Sequence, residues 1–200
     1  MKTMILAAVV SLAAGGAAVA QTATSPTDGT MTPVPAPAET TAAPAPAAAP
    51  MAAADPAMAN LTAQQFVEMA ASGGLFEVRS SELALERSQS DDVKAFAQMM
   101  IADHGKANDE LKALATAKNL TVPAEPAGPP ADHLAAVMAA EGDNFDPAYV
   151  EHQAQAHAET IQLFQAEAAS SNDADLAAFA EKTLPTLQMH AEHVQGLASQ

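Results

Sequence analysis

The chain has 200 residues, with 24 acidic and 8 basic side chains, and it contains no Cys, no Trp and a single Tyr. Its formal net charge of −16 argues against sequence-independent binding to nucleic acid or to an anionic membrane surface. Without Cys the chain has no disulfide, no thiolate nucleophile and no Cys-based zinc or iron–sulfur site. Because aromatic residues are few, a core must come mainly from Ala, Leu, Val, Met and six Phe, which favours helices over sheets.

Residues 1–20 predict a secretory signal peptide. Lys2 gives a basic start, Ile5–Leu12 an apolar centre, and residues 18–20 (AVA) the small-x-small pattern of a cleavage site. The alternative is a membrane anchor, but a span needs about 20 apolar residues, and this stretch is shorter and rich in Ala and Gly. We therefore expect cleavage between Ala20 and Gln21 and a bacterial protein that is periplasmic or secreted, with no membrane span after cleavage.

Residues 21–60 predict a disordered linker. This segment holds 8 of the 14 prolines and 14 alanines, and it has hardly any large apolar side chain. Such a composition cannot offset the entropy of ordering and favours an extended, partly polyproline-II tether.

Residues 61–200 are long enough for one domain with one core. No segment alternates with period two, whereas four long segments have helical periodicity, which predicts an all-α, up-down-up-down four-helix bundle. The predicted long helices run from Thr62 to Ser88, from Ser90 or Asp91 to Lys118, from just after Asp146 to Ser170, and from Asn172 or Asp173 to Ala198. A short extra helix is expected from Asp132 to Glu141, after a segment in which Pro123, Pro126, Pro129 and Pro130 stop any helix.

Proline and glycine lie at notable places in these helices. We expect Pro147 at the first position of the third long helix, where its fixed φ is favoured, and a kink at Pro185 in the fourth. Gly73 and Gly74 lie inside the first helix and indicate close packing against a neighbouring helix, or a kink, more than a phosphate site.

Each long helix places at least one ionisable group on or beside its apolar stripe. At 100° per residue, Glu77 lies among the apolar residues of the first helix, and Asp103 and His104 flank the stripe of the second. His157 and His190 share the apolar faces of the third and fourth. A charge that faces a core is costly unless it is paired or bound to a metal, so the repetition of this feature predicts a cluster.

Three interpretations of this cluster remain open. The five residues could ligate one or two ions of iron, zinc, manganese or copper, for which imidazole and carboxylate are suitable ligands. They could instead form a buried hydrogen-bonded network that fixes the helix register, or some could face solvent if a helix is phased wrongly by one residue. His133 and His152 fall off the stripes and are expected on the surface, and His193 lies at the edge of the fourth stripe.

Sequence motifs exclude several kinds of chemistry. Ferritin-like di-iron carboxylate sites use Glu-x-x-His motifs, and no His of this chain has Glu three residues before it. A glycine-rich phosphate loop, a G-x-S-x-G elbow and an H-E-x-x-H motif are also missing. Ten methionines could indicate copper(I), but Met99 and Met100 have core spacing and no Met-x-x-Met array occurs.

Four segments resemble the exported bacterial family known as domain of unknown function 4142. They are Phe66–Leu75 (FVEMAASGGL), Val93–Asn108 (VKAFAQMMIADHGKAN), Phe145–Phe164 (FDPAYVEHQAQAHAETIQLF) and Leu184–His190 (LPTLQMH). The resemblance covers about residues 61–198. Gly105 departs from it, since the family more often has Ser or Thr there.

The resemblance implies a ferritin-like four-helix bundle, usually secreted, with no settled activity. Glu77, Asp103, His104, His157 and His190 match its polar motif positions and are the candidate metal ligands. We expect a non-enzymatic, envelope- or stress-associated binding protein with a candidate transition-metal site and no nucleic-acid partner. The alternatives are a metal-dependent oxidoreductase acting on reactive oxygen species and a purely structural or partner-binding bundle.

Overall fold

The computed structural model describes residues 61–199 together with Met58. The predicted signal peptide (residues 1–20) and, apart from Met58, the predicted linker (residues 21–60) lie outside the described residues. Met58 packs against the apolar core of the folded part.

Five α-helices make up the described part of the chain, which contains no β-strand. They are α1 (Ala63–Arg87), α2 (Asp91–Ala117), α3 (Pro129–Ala139), α4 (Phe145–Ser170) and α5 (Ala174–Ala198). A 3₁₀ turn at Gly142–Asn144 leads into α4. The all-α prediction is confirmed, and so is the short helix between the second and third long helices.

Polar caps begin three of the long helices where the sequence predicts them. The Thr62 hydroxyl accepts a hydrogen bond from the Gln65 amide N–H, and the Gln65 side chain accepts one from the Thr62 N–H, which makes a capping box. Ser90 caps α2 by accepting from the Val93 N–H. Asp173 caps α5 through the N–H groups of the first turn.

The structure corrects two predictions about proline. Pro129 and Pro130 do not stop a helix but begin α3, directly after Gly128 with φ +63°. Proline fits there because the first-turn N–H groups have no partner within a helix. Helix α4 begins at Phe145, so Pro147 lies at its third position and not at its first. The helix α5 includes Pro185 within its span.

Contacts between the helices place one interior inside the four long ones. Helix α1 packs against α2 and α4, and α5 packs against α4 and α2, while α3 lies across α1 and α4. None of the helices in the described part of the chain is long and apolar enough to cross a membrane.

The interior holds two apolar clusters along its length. Phe66, Leu111, Phe164 and Leu187 belong to one cluster, and Phe76, Phe96, Met100, Tyr149 and Val194 belong to the other. On α2, α4 and α5 a buried histidine lies between the segments that contribute to the two clusters. The fold therefore inserts a polar layer between two halves of an apolar core.

Gly74 lies at a close contact between α1 and α2. A Cβ added there would clash with Oδ1 of Asn108, whereas a Cβ added at Gly105 in α2 would meet nothing within 4 Å. Both glycines lie inside helices, where Ala is favoured over Gly by about 1 kcal/mol.

We expect Gly105→Ala to raise the free energy of unfolding by about 0.5–1 kcal/mol, since it gains helix propensity without a clash. Gly74→Ala is the matched variant and should gain less or lose stability, because the Asn108 side chain must move. Urea unfolding followed by circular dichroism measures both. Equal gains at the two positions would show that the Gly74 contact does not matter.

Candidate metal centre

Three imidazoles meet in the polar layer between the apolar clusters. His104 of α2, His157 of α4 and His190 of α5 have ring centroids 5.3–5.6 Å apart. One ring nitrogen of each lies within 4.8 Å of those of the other two. Three different helices therefore deliver one nitrogen each to a common point, and we call this set the histidine triad.

The triad is dry and its inner nitrogens are unpartnered. His157 and His190 are 0 % exposed and His104 is 7 % exposed. Within the described residues, Nε2 of His104, Nε2 of His157 and Nδ1 of His190 have no hydrogen-bond partner. A buried polar atom without a partner costs about 1–3 kcal/mol, so three in one place call for a physical reason.

Hydrogen bonds on the outer nitrogens orient two of the rings. Nδ1 of His157 lies 2.8 Å from the carbonyl oxygen of Gln153, one turn earlier on α4, and must donate to it. Nε2 of His190 lies 3.0 Å from Oδ2 of Asp103 and donates to that carboxylate. These bonds fix the tautomers, so that the other ring nitrogens, Nε2 of His157 and Nδ1 of His190, carry lone pairs.

Burial also keeps the triad neutral. It lowers the pKa of His157 to about 4, and together with the neighbouring imidazoles it lowers the pKa of His104 well below its usual range. The pKa of His190 is lowered as well, chiefly by burial, although Asp103 opposes the shift. Neutral imidazole is the form that binds a metal ion.

Glu77 lies beside the triad on α1. It is 1 % exposed, and its Oε1 is 3.4 Å from Nδ1 of His157. Neither carboxyl oxygen has a hydrogen-bond partner among the residues that the structure describes. Burial raises the pKa of Glu77 well above its usual range. Glu77 is outside the set of atoms that lie within 4.8 Å of one another, so it adjoins the triad without completing it.

The structure thus brings together the five residues predicted from sequence, in different roles. His104, His157 and His190 form the triad, and Glu77 is buried beside His157. Asp103 lies behind His190, with its side chain 40 % exposed.

Several polar groups around the site were not predicted. The Gln153 side chain is fully buried and donates from Nε2 to the Ser80 hydroxyl at 2.8 Å. Ser81 and Tyr149 share a buried hydrogen bond of 2.8 Å. The only sequence signal for Gln153 is its spacing of four residues before His157, which places it on the same helix face.

The prediction that His133 and His152 are surface residues is wrong for His133. His133 is 9 % exposed, and its Nδ1 lies 3.0 Å from Nδ1 of His152, which is half-buried. The reason is that α3 packs across α1 and α4, a face that the helical phases of a simple four-helix bundle leave outside.

A small cavity adjoins the triad at His104. Its volume is about 20 Å³, and Asn108, Thr160 and Thr183 contribute polar groups to its lining. Such a space is large enough for one water molecule. His104 thus has room beside it for a molecule of the size of water.

The chain belongs to the family described as domain of unknown function (DUF4142), whose model matches residues 47–197. This confirms the family that the sequence segments indicate. None of the curated proteins matches the sequence.

Solved structures share the helical fold. A protein described as CopM in the Cu(I)-bound form is similar with a TM-score of 0.59 at 17% identity, over 70% of this chain and 97% of that one. CopM in the Cu(II)-bound form gives 0.58 at 16% identity, over 68% and 95%. A DUF305 fragment from Deinococcus radiodurans gives 0.59 at 14% identity, over 73% and 97%. At such identities the similarity concerns the fold alone.

The low pKa of His157 predicts that the metal-free protein loses stability in acid. Between the ordinary value of 6.5 and about 4, the unfolded chain takes up a proton that the native state does not hold. The free energy of unfolding should therefore fall as the pH drops through this window, by about 1.4 kcal/mol per pH unit for each such group. Chemical denaturation in the presence of EDTA, from pH 7 to pH 4, measures the slope.

The variant His157→Asn isolates this contribution, since it removes one titrating group and should reduce the slope by about one proton. The same slope in the native protein and in His157→Asn would contradict the assignment.

Proposed function

We propose that this protein is an exported, non-enzymatic metal-binding protein of the bacterial envelope that holds one transition-metal ion on His104, His157 and His190. The observation that carries the proposal is the meeting of three buried imidazoles, each with one unpartnered ring nitrogen, in a dry layer. A network that served only to fix the helix register would use these nitrogens in hydrogen bonds to each other or to neighbours. Here His157 and His190 each make one such bond to a group outside the triad, and one nitrogen of each of the three rings has no partner among the described residues.

Nitrogen ligands about 2.0–2.1 Å from one ion lie about 2.9–3.4 Å apart. The triad nitrogens are within 4.8 Å of each other, so modest side-chain rotations would bring them to bonding distance. Residues from three helices would then share one ion, and binding would tie those helices together.

Copper is the metal that we propose first. Imidazole suits copper, zinc, iron and nickel, and among divalent first-row ions copper binds most tightly to a given set of ligands. The structural relative CopM is described in Cu(I)- and Cu(II)-bound forms, which supports the same choice for this fold.

Asp103 and Glu77 would support the triad differently. Asp103 accepts the hydrogen bond from Nε2 of His190, and such a carboxylate behind a ligating histidine raises its basicity and fixes its direction. Glu77 is costly to ionise in the apolar interior, but a bound cation would offset that cost. We therefore propose that Glu77 is protonated in the metal-free protein and supplies negative charge when the ion is bound.

The cellular location of the protein is proposed from residues outside the described part. We propose that residues 1–20 direct export, that cleavage follows Ala20, and that residues 21–60 tether the domain in the periplasm. The four long helices are proposed to have the ferritin-like up-down-up-down arrangement that the family resemblance implies. The lack of Glu-x-x-His motifs argues against the alternative of oxygen-activating di-iron chemistry.

The purified protein should bind one copper ion per triad, and His190→Ala should abolish tight binding, because it removes one of three ligands. Titration with Cu(II) in competition with a chromophoric chelator measures the affinity. The matched control is His193→Ala, one turn further along α5 and exposed, which should bind as tightly as the native protein. If His190→Ala and His157→Ala both retained native affinity, the proposal would be wrong, and the bundle would be structural.

Two further substitutions separate the supporting carboxylates. Asp103→Asn should weaken copper binding by about 10–100-fold, as is typical for the partner of a ligating histidine.

Glu77→Gln should raise the thermal stability of the metal-free protein at pH 8, since a neutral amide replaces an acid that is costly to ionise there. It should also reduce the additional stability that copper gives. Differential scanning calorimetry with and without copper measures the metal-free stability of Glu77→Gln and the stability that copper adds. A lower stability of metal-free Glu77→Gln would refute the assigned role of Glu77.

A further inference from the structure

A second pair of imidazoles lies outside the triad, where α3 meets α4. Nδ1 of His133 and Nδ1 of His152 are 3.0 Å apart, and their ring centroids are 5.1 Å apart. His133 is nearly buried and packs against the ring of Phe76, with centroids 5.7 Å apart. His152 is half-buried, so the pair is open to solvent on one side.

A carboxylate indicates which nitrogen of His133 carries its proton. Oε2 of Glu159, seven residues after His152 on α4, lies 3.6 Å from Nε2 of His133. That nitrogen has no closer hydrogen-bond partner in the described part of the chain. The negative charge favours an N–H on Nε2 of His133, which leaves a lone pair on its Nδ1. His133 thus presents a bare nitrogen to His152, with a carboxylate behind the ring, as His190 does with Asp103.

The spacing of the two facing nitrogens suits a shared ion. In the metal-free state Nδ1 of His152 donates a hydrogen bond to Nδ1 of His133. His152 can instead hold its proton on Nε2, because its half-exposed ring reaches solvent, and both facing nitrogens then carry lone pairs. Their distance of 3.0 Å falls within the range of about 2.9–3.4 Å expected for two nitrogen ligands of one ion.

We propose that His133 and His152 form a second metal site, which binds a divalent transition-metal ion such as Zn²⁺ with water as the remaining ligands and joins α3 to α4. Two imidazoles select a borderline ion such as Zn²⁺ over Mg²⁺ or Ca²⁺, which prefer oxygen ligands. With two protein ligands in place of three, the site should be weaker than the triad and should exchange its ion faster. The proposal does not depend on the function proposed for the triad.

Isothermal titration of the purified chain with Zn²⁺ tests this site. We expect a binding step that His152→Ala abolishes and that His193→Ala retains, since both are single histidine deletions at accessible positions. Glu159→Gln should weaken the step by about tenfold or more, because it removes the charge that sets the tautomer of His133. Binding at the triad is a separate step that responds to His190→Ala, so the failure of either site can be recognised without the other.

Hydrogen exchange measured by mass spectrometry supplies the structural readout. Zn²⁺ should slow the exchange of amides in α3 of the native protein and of His193→Ala, and should leave α3 unchanged in His152→Ala. A metal-free spectrum like that of the native protein shows that His152→Ala is folded, and Glu159→Gln, at an exposed position, provides a second variant. If Zn²⁺ binding and protection of α3 are the same in His152→Ala as in the native protein, the pair is a hydrogen bond only and the proposal is overturned.

Discussion

The structure depends on the cost of keeping polar groups dry. The imidazoles of the triad and the carboxyl group of Glu77 lie between two apolar clusters, and the nitrogens and oxygens that face inward have no hydrogen-bond partners in the described residues. Leucine at these positions would continue the core and avoid the penalty of about 1–3 kcal/mol for each unsatisfied group. Since the neighbouring layers are well-packed Phe, Leu and Val, the polar layer is a local exception to an otherwise ordinary core. The exception is understandable if the free nitrogens have a ligand.

The buried layer around the triad has no cationic side chain among the described residues to balance Glu77, and a metal ion would supply that positive charge. The chain has 24 acidic and 8 basic side chains, yet no Lys or Arg is among the buried residues of the described part to balance Glu77. Neutral imidazoles need no counter-charge, so the metal-free layer can persist with Glu77 protonated. A cation that enters would face neutral donors, one carboxylic acid able to ionise, and Asp103 behind His190. Because the Asp103 side chain is 40 % exposed, it also links the buried ring to solvent.

Helical periodicity was enough to predict the centre of the fold. The inward phases of His104, His157 and His190 follow from the same 100° rotation that places Phe96, Phe164 and Leu187 in the core, so a correct helix phase fixes the triad as well.

Helix boundaries were predicted less well where proline can act in two ways. Pro129 and Pro130 are helix breakers inside a helix and helix starters in its first turn, and the residues around them do not distinguish these roles. The burial of His133 could not be predicted, because it depends on where the short helix α3 packs. Such docking follows from tertiary contacts between α1, α3 and α4 and leaves no period in the sequence.

The triad and the His133–His152 pair have similar arrangements of side chains, one in the interior and the other near the surface. In each, a carboxylate lies beside one imidazole, and at least one further imidazole lies close to that ring. The difference is solvent access, since His157 and His190 are fully buried, whereas His152 is half-exposed. An ion at the triad would bind two fully buried rings, which favours slow exchange and long retention. An ion at the pair needs only a shift of the His152 proton from Nδ1 to Nε2, on a ring that is open to solvent. A ligand that binds only the native state stabilises it by RT ln(1 + [L]/Kd), so the deep site would add most to the stability of the bundle and the outer one would respond to changing metal supply. Depth, more than the identity of the ligands, therefore distinguishes what the two sites can do.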